Sequence, residues 1–107
     1  MSHNLLLWKW SQDFDTPAKR KKVKLKFGDI TSSFVKNGHH PAIGEADING
    51  FRVALEAAFG TNELARPFVL EIYPNCVVLN YSASVRFELV PKVAGIGKLF
   101  GLNASEF

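Results

Sequence analysis

A single cysteine, Cys76, excludes an internal disulfide, so the fold has to be held by its core. Beside Val77, Val78 and Leu79 this cysteine reads as a small buried hydrophobe rather than a reactive thiol. Long apolar runs are also missing. The longest uncharged stretch, the 14 residues from Ile72 to Val85, is broken by polar groups and Pro74, and nothing in the chain reads as a bilayer span. The opening MSHNLLLWKW has no basic segment ahead of its short leucine run, so it does not read as a signal peptide and a cytoplasmic location is expected. Without a secretory route the Asn103-Ala104-Ser105 acceptor pattern has no consequence.

The signatures of common chemistries are absent as well. There is no Gly-x-Ser-x-Gly elbow, no His-Glu-x-x-His, no Ser-His-Asp arrangement and no paired-carboxylate motif. AGIGKLFG (94–101) has the look of a phosphate loop but fails: Leu99 follows the Gly-Lys pair, and Phe100 occupies the third glycine position of the dinucleotide pattern. It reads as a glycine-loosened amphipathic helix. HHPAIGEAD (39–47) gathers His39, His40, Glu45 and Asp47. Adjacent histidines on a short loop cannot easily ligate one ion, and no cysteine lies near, so the expectation is a polar loop with no metal and no cofactor. A small enzyme using these four groups is the least favoured reading, because no partner nucleophile is signalled.

What is present is a chain of 107 residues, 47% hydrophobic and 21% charged, which is the composition of one globular domain spanning 1–107. At this length roughly two thirds of the unfolded surface can be buried. The net charge of +3 is unevenly placed. Lys19, Arg20, Lys21, Lys22, Lys24 and Lys26 carry +6, and the remainder of the chain carries −3. Three readings of this basic run stand side by side: a solvated sheet edge, a docking surface for an acidic protein, and a weak, sequence-nonspecific nucleic-acid contact. The run holds one arginine against five lysines and no obvious stacking aromatic except Phe27, which disfavours the nucleic-acid reading.

Periodicity supplies the elements. In NLLLWKW (4–10), Leu6, Trp8 and Trp10 share one face and Leu5, Leu7 and Lys9 the other, which predicts a strand internal to a sheet. Trp8 is expected in the core and Trp10 is the candidate interface anchor. Asp15 or Thr16 precedes Pro17 and predicts a short helical turn through the basic run, followed by an extended segment at 22–27. GDITSSFVKNG predicts a helix capped by Asp29 and ended by Gly38; EADINGFRVALEAAFG is the clearest helix. Residues 68–81 read as a hairpin about Pro74-Asn75, and a last helix follows a serine cap at Ser82 or Ser84. The order β-α-α-β-β-α predicts an α+β domain, a small antiparallel sheet with helices on one face.

The opening LLLWKW strand and the DTPAKRKK that follows resemble small bacterial immunity proteins of contact-dependent toxin systems, in size, element order and aromatic first strand. The resemblance covers the whole chain without a diagnostic motif. It implies a non-enzymatic, protein-binding role, with a cognate toxin domain as partner. Either that toxin would present an acidic face to the basic run, or the −3 remainder of the chain would supply the contact surface while the lysines face elsewhere. No functional residue is carried over.

Overall fold

The computed structural model describes residues 2–22, 27–38, 40–62 and 65–107, without the side chains of Ser2, Lys22 and Phe27. Its axis is β1 (Ser2–Trp10). Along one edge β1 pairs with β4 (Val77–Ser82), from Ser2↔Ser82 to Leu7↔Val77. It also pairs with β5 (Asn103–Glu106), from Leu5↔Glu106 to Trp8↔Asn103, and its last two residues pair with β2 (Ile43–Gly44). β3 (Val69–Ile72) lies outside β4. Every pairing is antiparallel and the order is β2-β1-β4-β3, with β5 beside β1. The described helices are α1 (Pro17–Lys22), α2 (Phe27–Asn37), α3 (Ile48–Phe59) and α4 (Arg86–Lys98), the last entered through a short 3-10 turn at Ala83–Val85. The class is α+β with a small antiparallel sheet. No helix among the described residues is long and apolar enough to cross a membrane.

Alternation in β1 divides the core. Leu5 and Leu7 point to the face covered by α3 and α4, where they meet Ile48, Phe51, Leu55, Leu89 and Val93. Leu6 and Trp8 point the other way, onto Ile30 and Phe34 of α2 together with Ala42, Ile43, Cys76 and Val78. Helices therefore cover the second face too, where a single helical layer was expected. The reason is local: Ile30 and Phe34, four residues apart on α2, supply an apolar stripe that only the Leu6–Trp8 face can bury.

The element ends follow local chemistry. Asp47 caps α3 by accepting a hydrogen bond from the Gly50 N–H at 3.0 Å. Asp29 is not a cap, because α2 already starts at Phe27; its carboxylate lies in the first turn, where it complements the helix dipole. Neither Ser82 nor Ser84 caps the last helix. Their hydroxyls lie 2.8 Å from each other, and the 3-10 turn intervenes. The extended segment expected at 22–27 lies outside the described residues, apart from Lys22 and Phe27, which belong to α1 and α2.

The glycines near the C-terminus do more than loosen a helix. At Gly97 a Cβ would come within 2.8 Å of Leu7 Cδ2, so the glycine lets α4 approach β1. Gly101, at φ 71°, reverses the chain: the Leu102 N–H bonds to the Gly97 carbonyl at 3.0 Å and the Gly101 N–H to the Lys98 carbonyl at 3.1 Å. This is a Schellman closure, and it seats Leu102 in the core and launches β5. Gly95 faces open space. Gly97→Val should therefore destabilise the fold by about 1–3 kcal/mol through overpacking, while Gly95→Ala should stabilise it by about 0.5–1 kcal/mol through helix propensity. Urea unfolding of the two variants measures both, and equal effects would contradict this assignment.

Candidate interaction site

Trp10 ends the buried strand and is half-exposed. The Trp8 ring meets it edge to face, with centroids 4.5 Å apart and planes at 78°, so the core fixes one side of the indole. On another side the Arg20 guanidinium lies 4.4 Å from the ring centroid, within the range of a cation–π contact. The short helix α1 brings Arg20 there. Pro17 begins it, and Thr16 Oγ1 accepts from the Lys19 N–H at 3.3 Å. Arg20 Nε donates to the Thr16 carbonyl at 3.2 Å, which holds the side chain along the helix start.

Below the indole an open groove of about 630 Å³ is lined by Lys9, Trp10, Asp15, Ile43, Glu45 and Asn75, among others. Its floor depends on close approach between β2 and the end of β1. The Ser11 N–H donates to the Ala42 carbonyl at 2.8 Å and its hydroxyl to the Pro41 carbonyl at 2.9 Å. A Cβ at Gly44 would lie 2.6 Å from Ser11 Cα, so glycine is required there. The lining mixes one aromatic, aliphatic surface and both signs of charge, which suits a protein side-chain cluster better than a uniformly anionic ligand.

The expected site residues separate into four groups. Trp10 and Arg20 are brought together. Lys19 turns inward: its Nζ donates to Asp15 Oδ1 at 3.0 Å and to the Gln12 carbonyl at 2.7 Å, a half-exposed pair worth at most about 1 kcal/mol. Lys21 is exposed on α1. Lys24, Lys26 and the Lys22 side chain lie outside the description. In the 39–47 loop, His39 is likewise outside. His40 Nδ1 accepts from the Ala42 N–H at 3.0 Å, so it shapes the turn before β2, and Asp47 is the α3 cap. Among the described residues no group of three or more His, Cys, Asp or Glu could hold a metal ion.

Sequence periodicity gave no sign of a second polar cluster at the far end of β1. His3 stacks with Tyr81 at 6.0 Å, and Arg86 Nε donates to Glu106 Oε2 at 2.7 Å. Burial, and then the Glu106 carboxylate, raise the Tyr81 phenol above its ordinary value. The Arg86–Glu106 pair clamps β5 to the start of α4, and its advance signal was the unremarkable pair of charges at 86 and 106.

Cys76 sits in the second core cluster, 4% exposed, and burial pushes its thiol up to about 11 from an ordinary 9.0. Tyr73, one turn of the hairpin away, is raised as well, first by burial and then by Glu71. A group with a raised folded-state pKa contributes stability that is intact below its unfolded value and is lost as the pH climbs through its folded value. Unfolding free energy should therefore fall as pH rises from about 9 towards 11, and Cys76→Ala should lose part of that decline, leaving the tyrosine share. Urea titrations at stepped alkaline pH test this; an unchanged slope in the variant would refute the burial argument. Comparison with known proteins assigns the chain to no group: no family model, no curated protein and no solved structure matches it.

Proposed function

We propose that this chain is a non-enzymatic protein-binding module. Its contact surface is the Trp10 side of the groove, the Arg20 guanidinium that rests against that ring, and the exposed cations of α1, and its partner presents an acidic face. The observation that carries the reading is the Arg20 stack on a half-exposed tryptophan whose other side is fixed by Trp8. Tryptophan and arginine are the residues most enriched where binding energy concentrates, and an indole already held in place spends little entropy on binding. The unevenly placed positive charge then serves encounter: exposed lysines raise the association rate and the anchors set dissociation. The resemblance of LLLWKW and DTPAKRKK to immunity proteins makes a toxin domain with an acidic surface the partner class that fits, and a cytoplasmic setting goes with that role.

A nucleic-acid reading draws on the same lysines, but the described geometry supports it less. Lys19 is engaged with Asp15, and the Arg20 guanidinium is already engaged over the Trp10 ring at 4.4 Å. The test is capture of the partner from the source cell's lysate by tagged protein, with and without nuclease. Arg20→Ala and Trp10→Ala should each weaken partner binding by about 2 kcal/mol, roughly 30-fold, while Lys21→Gln should slow association and reduce its salt dependence with little effect on dissociation. Thermal melts check that Arg20→Ala and Trp10→Ala remain folded. Recovery of nucleic acid that disappears with nuclease or salt, or a protein partner indifferent to both anchor variants, would overturn the proposal.

A further inference from the structure

Helix α4 has two apolar faces. The inner one sets Leu89, Val93 and Gly97 into the core. The outer one carries Phe87, Pro91, Gly95 and Leu99, all exposed, at a constant spacing of four residues. Phe87 is 84% and Leu99 81% exposed, more than any other large apolar side chain described. Single exposed apolar residues need no explanation. A row of four in register, about 18 Å long, is different, because the opposite face already meets the helix's packing against the core. Such a row is one ridge of the kind that packs helix on helix. Its two bulky ends flank a low saddle, where a Cβ at Gly95 would meet open space.

Charge along the ridge is polarised. Glu88 flanks its first end and Lys98 its last. Of the other charged groups of α4, Arg86 bonds to Glu106 at 2.7 Å and also lies 5.7 Å from the Phe87 ring centroid, and Lys92 Nζ lies 4.9 Å from the Phe59 ring centroid.

We propose that this ridge docks antiparallel on the same ridge of a second copy of the chain, forming a two-fold dimer. In that arrangement Phe87 meets the second copy's Leu99, Pro91 meets its Gly95, and Glu88 comes opposite its Lys98, each pair occurring twice. A parallel arrangement would set Glu88 beside Glu88 and Lys98 beside Lys98. The match of large end to large end, saddle to saddle and acid to base within one element is the self-complementarity that an isologous interface requires, and an unrelated partner would not need it. Ridges of this spacing pack at a crossing angle of about −50°, and the saddle permits close approach at the crossing point. One helix crossing buries less than the roughly 1,200 Å² of a standard stable interface, so the dimer forms in the range of about 10–100 µM.

Sedimentation equilibrium of the full chain from about 10 to 500 µM brackets that range and tests the proposal. The average mass should rise from the 11.9 kDa monomer towards twice that value. Phe87→Ser and Gly95→Leu should each weaken association by about tenfold or more. Gly95→Leu projects into open space and leaves the monomer folded, so a loss of dimer there cannot be ascribed to unfolding. Glu88→Lys should weaken the dimer, and adding Lys98→Glu to the same chain should restore it. Trp10→Ala should dimerise as the wild type does, which separates this surface from the partner site. A monomeric mass over the whole range, a dimer insensitive to both Phe87→Ser and Gly95→Leu, or a monomer that uses Phe87 to bind phosphatidylcholine vesicles would each overturn the proposal.

Discussion

The four consecutive side chains Leu5, Leu6, Leu7 and Trp8 have no exposed surface, and a strand reaches that state only when both of its faces are covered and both of its edges are paired. Each buried leucine is worth about 1.5–3 kcal/mol relative to exposure, and the tryptophan at least as much. The demand for two coverings explains the rest of the architecture. α3 and α4 answer Leu5 and Leu7, α2 answers Leu6 and Trp8, and β4, β5 and β2 satisfy the backbone.

The candidate site is a consequence of where that burial stops. Trp8 is sealed, and its indole N–H donates to Ser105 Oγ at 3.1 Å; Trp10, two residues on and on the same face, emerges at the rim. Its ring therefore inherits a fixed orientation from the core while keeping exposed surface. The basic helix adds a guanidinium to that ring at little cost, because Pro17 and Thr16 preset the turn that carries it. The same economy holds on α4, where one helix serves the core with one face and leaves a second apolar face outward.

Much of this was legible in the residues. Apolar side chains of both parities in NLLLWKW announced an internal strand, EADINGFRVALEAAFG read as the clearest helix, and Pro74-Asn75 marked the hairpin. Other parts carried no local signal. Asn103–Glu106 contains residues that strands usually avoid, and it becomes β5 only because the Gly101 reversal lays it against β1. β2 is two residues long, too short for any period. Ile30 and Phe34 revealed an apolar stripe but not which face of the sheet would receive it. At the site, six like charges in one run gave no indication that Lys19 would turn back to Asp15 or that Arg20 would lie on Trp10, since both depend on α1 folding over the end of β1.

The link between Trp8 and Ser105 joins residues 97 positions apart, and the Asn4 and Phe107 backbones exchange two hydrogen bonds beyond it. β1 thus waits for residues 97 positions further along the chain before its second edge is closed. Until then it is a bare, strongly apolar template, and closing so large a loop must precede the reward of pairing. An incomplete nascent chain therefore exposes the surface most prone to mispairing with a neighbour, so the order of synthesis places the greatest aggregation hazard before the sheet's second edge is closed.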